Sequence, residues 1–185
     1  MGPGKRDKIP QHFTASAVVI DNDHVLLVHH RRIGAWLPPG GHIDDFEMPH
    51  EAAVREVFEE TGVKVEVLSE ALPGTGDADA FFLQQPLCLH GVRAQEGGQD
   101  VYHLDIVYLC KPVTTGNRPA IAKPGPGPGL PGIVDCREVK EARWVRLSDL
   151  GALPLARNVV EALDLARRKL ESINAQLTHL PEDRQ

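Results

Sequence analysis

The chain is short of cysteine, of positive charge and of long apolar runs. Its three cysteines, Cys88, Cys110 and Cys136, are an odd number at wide spacing and form no CxxC pair. That argues against a disulfide framework and against a cysteine-built structural zinc site. They read instead as reduced, partly buried thiols. Twenty Lys and Arg against twenty-six Asp and Glu leave a net charge of −6, which argues against binding a nucleic acid polymer or an anionic membrane by overall charge. No apolar stretch approaches the roughly 18–20 residues that span a bilayer. Residues 1–10 are polar with no apolar signal core, and Arg6 stands where a myristoylation signal on Gly2 would need Ser or Thr. The expectation is a soluble, untargeted, cytoplasmic protein. What is present is ordinary for a folded chain: 42% hydrophobic and 25% charged residues in a length of 185, enough for one domain with at most an appended element.

Residues 14–20 and 24–28 are β-prone, and Asp21-Asn22-Asp23 between them tolerates the left-handed backbone of a tight turn, so the pair predicts an antiparallel hairpin. Pro38-Pro39 and Gly40-Gly41 keep residues 34–41 out of helix. The spacing predicts a helix over 49–61, opened by Pro49 where a missing N–H costs little and stopped by Gly62. Short strands are predicted over 63–68, 87–92, 102–109 and 142–147, and an amphipathic closing helix over 158–173. Residues 112–132 form a Pro/Gly-rich insertion in which no regular hydrogen-bonded structure is expected; a lid, a dimer contact and a disordered excursion all remain open. The expected organisation is an N-terminal tail (1–11), one α+β domain (12–175) and a frayed C-terminal tail (176–185).

The chemistry concentrates in residues 41–63. On a helix over 49–61, Glu56, Glu59 and Glu60 fall within an arc of roughly 100°, while Val54, Val57, Phe58 and Thr61 offer a packing face. Like charges so spaced cost an isolated helix about 0.2–0.5 kcal/mol per pair, which a solvated acidic face tolerates. The glycines before the helix favour a second reading. Glycine lets backbone carbonyls approach a ligand, and Mg²⁺ takes carboxylate and carbonyl oxygens. Arg55 can brace these carboxylates through Glu47 or Glu56.

Gly41, Glu47, Arg55-Glu56-Val57-Phe58-Glu59-Glu60 and Thr61-Gly62-Val63 fill every fixed position of Gly-x5-Glu-x7-Arg-Glu-U-x-Glu-Glu-x-Gly-U, with U aliphatic. In this the chain resembles the Nudix hydrolase family, MutT-like members included. The lead-in Leu37-Pro38-Pro39-Gly40-Gly41 and the later Trp144-Val145 and Leu147-Ser148-Asp149-Leu150 extend the similarity. The resemblance implies an α/β/α sandwich on a mixed central sheet, with the motif as a loop–helix–loop. It implies hydrolysis of a nucleoside diphosphate linked to another moiety, with Mg²⁺ or Mn²⁺ as cofactor. Carried over, Glu59 and Glu60 would be the principal metal ligands. Glu56 would be a further ligand or the group orienting the attacking water, Gly40 would offer its carbonyl, and Arg55 with Glu47 would hold the carboxylates from behind. Metal ions neutralise the phosphate charge that repels a nucleophile and lower the pKa of a coordinated water.

Around this core the sequence leaves choices. Glu138 and Glu141 are candidates for a general base or further ligand and equally read as surface charge; Glu96 and Asp100 are weaker candidates. Arg31 and Arg32 could grip phosphates bidentately, whereas His29 reads as structural and His29-His30 finds no third zinc ligand at suitable spacing. Trp36 is a base-stacking platform or a core anchor. Asn158 is a base reader or, the favoured reading, a helix cap. The proline typical of ADP-ribose hydrolases has no counterpart, Ala78-Asp79-Ala80 standing there. The tyrosine of dinucleoside polyphosphate hydrolases is also missing, as are the NADH-pyrophosphatase and coenzyme A motifs. The expected partner is a small nucleotide or related diphosphate, with nucleoside triphosphates favoured and a homodimer left open. The alternatives are a catalytically silent nucleotide-binding module, which can lose its glutamates, and an isoprenyl diphosphate isomerase, which needs a cysteine that this chain does not place upstream.

Overall fold

Asp21, Asn22 and Asp23 turn the chain as expected: Asn22 takes φ 53° and joins β1 (Gln11–Asp21) to β2 (His24–His30) in an antiparallel hairpin. The computed structural model describes residues 9–69, 80–113, 119, 121, 124–125, 134–135 and 138–178. After β2 come β3 (Trp36–Leu37), β4 (Gly40–His42), α1 (Pro49–Thr61) and β5 (Val65–Val67). These are followed by β6 (Cys88–Glu96), β7 (Gln99–Pro112), β8 (Pro124–Gly125), β9 (Val134–Asp135), β10 (Val139–Arg146) and α2 (Arg157–Thr178). The main sheet runs β10-β2-β1-β7-β5, with β3 paired to β2, β4 to β1 and β6 to β7. β1 and β7 are parallel and its other pairings antiparallel, so the sheet is mixed as expected.

Helices cover both faces of this sheet. Ala15, Ala17 and Val19 of β1, with Leu26 and Tyr108, pack against Ala52, Ala53 and Val57 of α1. The alternate residues Val18, Ile20, Val25, Leu27, Val107 and Leu109 pack against Val159, Ala162, Leu163 and Ala166 of α2. Strands buried on both sides read as near-continuous apolar runs, and the period-2 alternation sorts each run between the two cores. The α2 contacts recur at i, i+3, i+4 and i+7, one helical stripe. The result is the α/β/α sandwich.

Three elements depart from expectation. β6 and β7 are longer than predicted and form one hairpin through Gly97 and Gly98, whose φ values of 55° and 82° glycine adopts without steric cost. Residues 147–152 form a 3₁₀ turn between β10 and α2. Most of the 112–132 insertion and most of both predicted tails lie outside the described residues. Inside the insertion, however, β8 pairs in parallel with β9, which lies just beyond it. The expectation of no regular pairing there is corrected at these positions, because proline lacks an N–H but keeps its accepting carbonyl. Among the described residues no helix is long and apolar enough to cross a membrane. Cys88 is half-buried and Cys110 fully buried, with burial pushing the Cys110 thiol up to about 12.

Candidate active site

α1 begins at Pro49 and is capped at Gly62, whose φ of 73° lets its N–H donate to the Phe58 carbonyl at 2.7 Å. The helix packs against β4, and two glycines make that approach close. A Cβ on Gly40 would lie 2.5 Å from the Ser16 Cβ and 2.7 Å from the Ala15 carbonyl oxygen. A Cβ on Gly41 would lie 2.4 Å from Glu56 Oε1. The Gly40 N–H donates to Glu60 Oε2 at 3.0 Å. The acidic side of the helix is therefore not a solvated face. Glu60 is buried at 6% exposure and the Glu56 side chain is 15% exposed, while Glu59 remains 46% open to solvent.

Arg55 organises these carboxylates through five hydrogen bonds, matching the five N–H donors of a guanidinium. Its Nε and Nη2 donate to the two Glu47 oxygens at 2.8 and 2.9 Å. Its Nη1 donates to Glu56 Oε1 at 2.7 Å and to Glu59 Oε2 at 3.2 Å, and Nη2 also donates to the His42 carbonyl at 3.0 Å. The expected brace to Glu47 or Glu56 is thus a brace to both, and to Glu59 and β4 as well. Glu47 is held in turn by the Asp44 N–H at 3.2 Å.

The electrostatics follow from this geometry. The hydrogen bonds from Arg55 outweigh burial and hold the Glu47 carboxyl below the ordinary range. Burial dominates at Glu56 and raises its pKa despite the Arg55 contact, with Glu59 and Asp44 adding repulsion. Glu56, Glu59 and Glu60, with the Gly40 carbonyl on the facing strand, are the oxygen groups here that could hold a hard divalent cation.

The other sequence candidates scatter. Glu138, with its side chain 71% exposed, faces His30 at 3.7 Å, and burial of His30 lowers that imidazole's pKa against the pull of Glu138. Glu141 pairs with Arg143 on β10, and Asp100 with Arg93 and with Gln95 at 3.2 Å. Arg31 and Arg32 lie in the turn after β2, where Arg31 Nε donates to the Val139 carbonyl at 3.2 Å. Trp36 is a core residue, 5% exposed, edge-on to His29 and covered by the Arg143 guanidinium 5.2 Å from the ring centroid. This burial fits the core-anchor alternative. Asn158 is half-buried inside α2, which starts at Arg157, and the helix-opening carbonyl belongs to Ala156. The cap position thus falls at Ala156, two residues before Asn158, and the capping reading is corrected. The ADP-ribose-type segment falls largely in 70–79, outside the described residues.

Sequence reasoning missed two features. Phe46, in the loop between Gly41 and Glu47, is fully exposed with φ 68°, and no local pattern marks it. Glu96, ranked low, stands among His12, His42 and His103, which come together only through sheet register.

A family model described as NUDIX domain matches residues 10–166. A MutT-like protein of Streptomyces ambofaciens is 40% identical over 53 residues, 29% of this chain and 34% of its own length. A diphosphoinositol polyphosphate phosphohydrolase 3-beta of Bos taurus is 56% identical over 43 residues, 23% of this chain and 26% of its own. The chain thus spans about a third or less of the length of these curated relatives. The crystal structure of a NUDIX-family hydrolase from Clostridium perfringens superposes with TM-score 0.60 at 25% identity, covering 83% of this chain and 97% of that one. With a family model spanning most of its length, and with the Arg55-braced carboxylates in place against Gly40 and Gly41, the chain belongs to the NUDIX domain family.

Proposed function

We propose that this protein hydrolyses a phosphoanhydride bond in a nucleoside diphosphate linked to another moiety, with Mg²⁺ or Mn²⁺, and that nucleoside triphosphates are its favoured substrates. The observation that carries this reading is the saturated Arg55 guanidinium, which spends all its donors on fixing Glu47, Glu56, Glu59 and β4 relative to one another. A solvated acidic face has no need of such a brace.

Glu59, Glu60, Glu56 and the Gly40 carbonyl would hold the ion. A bound divalent ion supplies charge neutralisation on the phosphate chain and acidifies the attacking water. Arg55 stays cationic throughout, since its carboxylate partners push its pKa further up. Glu60 is kept from rotating by the Gly40 N–H, and Glu59 faces solvent, where a nucleotide arrives. Glu56, its pKa raised by burial, is suited to accept a proton from water or to orient it. Glu138 is the further candidate base, and Arg31, Arg32 and Asn158 are candidate substrate contacts. The MutT-like name of the Streptomyces relative and the missing subtype motifs support triphosphates; the name of the bovine relative brings diphosphoinositol polyphosphates into the same test.

The test is a screen of purified protein with Mg²⁺ against nucleoside triphosphates, dinucleotides, nucleotide sugars and inositol pyrophosphates, with the released products identified. Turnover of a nucleoside triphosphate to monophosphate and pyrophosphate is expected. Nucleotide binding without turnover of any of these would establish the silent module instead.

A further inference from the structure

Four side chains that the proposed hydrolysis leaves unused meet at one place on the sheet: His12 of β1, His42 of β4, Glu96 of β6 and His103 of β7. One donor atom from each lies within 4.8 Å of all the others. We propose that these residues bind a nitrogen-preferring transition-metal ion of the zinc class, at a site built from side chains other than the Nudix carboxylates.

The register explains the convergence. His12 pairs directly with His103 across the parallel β1–β7 ladder, and His42 pairs with Thr14 on the other side of β1. Glu96 closes the β6 arm of the hairpin. Its Oε1 faces His103 Nε2 at 2.6 Å and His42 Nε2 at 3.1 Å, and its Oε2 faces His12 Nδ1 at 2.9 Å. Three imidazole nitrogens and one carboxylate from four strands form a donor set that zinc takes readily and that magnesium, which prefers oxygen, does not. Four ligands about 2.0–2.1 Å from a tetrahedral zinc stand roughly 3.3 Å apart. His12 and His42, with side chains 41% and 53% exposed, have room to rotate and close that gap.

The ordinary alternative is a carboxylate accepting three histidine N–H groups, which needs no ion. A consequence separates the two. The His42 backbone carbonyl accepts from Arg55, and Gly40 and Gly41 share its strand. An ion held by His42 would therefore pin the strand against which the acidic helix is built.

The experiment is equilibrium dialysis of the purified full chain against Zn²⁺ in excess Mg²⁺, followed by Co²⁺ substitution read in the visible spectrum. One equivalent of zinc is expected, with the intense bands of four-coordinate cobalt. His103→Ala and His12→Ala should each weaken uptake by at least about tenfold, while Glu60→Gln leaves it unchanged. Should His103→Ala not fold, His42→Gln, at an exposed position, carries the same expectation. No zinc uptake by the wild type would overturn the proposal, leaving only the hydrogen-bonded cluster. Uptake lost in Glu60→Gln but retained in the histidine variants would overturn it as well.

Discussion

Gly41 and Glu56 compete for one space: a Cβ on the glycine would stand 2.4 Å from Glu56 Oε1. The group in the way is the end of a flexible side chain, so Gly41→Ala should fold and instead displace the carboxylate. At Gly40 the obstacles are Ser16 and the Ala15 backbone, which cannot step aside. Gly40→Ala should therefore lose about 1–3 kcal/mol of stability from overpacking. Gly41→Ala should melt near the wild type while kcat/KM falls about 100-fold or more, the scale of losing one preorganised electrostatic group. Thermal melts paired with initial rates check this, and equal melting losses for the two variants would contradict it.

Arg55→Lys is conservative in charge and not in geometry. Lysine has three donors on one nitrogen and cannot span both Glu47 oxygens while reaching Glu56, Glu59 and the His42 carbonyl. The apparent affinity for Mg²⁺, read from activity against metal concentration, should drop by about 10–100-fold. An unchanged magnesium titration would mean that the brace does not set the carboxylates.

Glu59→Gln and Glu60→Gln keep size and one accepting oxygen and remove charge. Both should fold, and both should lose about 100-fold or more in turnover. Glutamine at position 60 retains an oxygen for the Gly40 N–H, so a normal melting curve with lost hydrolysis would isolate the electrostatic role. Hydrolysis by Glu60→Gln at the wild-type rate would refute its assignment as a ligand.

The boundaries of α1 were legible because Pro49 and Gly62 are local signals that act through backbone chemistry alone. The face of α1 was only partly legible. Helical phase groups Glu56 with Glu60, but their burial depends on Gly40 and Gly41, which lie on another element and let the helix come close. Trp36 was undecidable for the same reason. Arg143 covers its ring from β10, more than a hundred residues away, and no window of sequence contains that contact. The Glu96 cluster was invisible because its members sit on four strands and share only register. The β6–β7 hairpin, by contrast, could have been read from Gly97-Gly98 flanked by alternating residues.

Phe46 carries φ 68° at a fully exposed position. For a residue with a Cβ this backbone costs roughly 1–2 kcal/mol, which glycine does not incur. Phe46→Gly should recover part of that, about 1 kcal/mol net of glycine's greater unfolded freedom, seen as a rise in Tm. With no packing lost at an exposed ring, hydrolysis should be unchanged. A fall in kcat/KM would instead show that the ring contacts substrate.

The acid limb of stability should depend on Glu47. Its pKa is depressed in the folded state by Arg55, against an ordinary value of 4.5. A carboxyl with a depressed folded pKa contributes stability that is fully present above its unfolded pKa and is lost as pH falls through the folded one. Glu56 runs the other way. Burial raises its pKa, so its ionisation opposes folding as pH climbs through that raised value. In metal-free protein, Glu47→Gln should accordingly lower Tm near neutrality, by the equivalent of about 1.5–3 kcal/mol for a lost charge-assisted pair. It should also flatten the decline of Tm below pH 4.5, where the wild type gives up the pair as well. Parallel curves for the two proteins through the acid range would show that the Arg55–Glu47 pair contributes no pH-dependent stability.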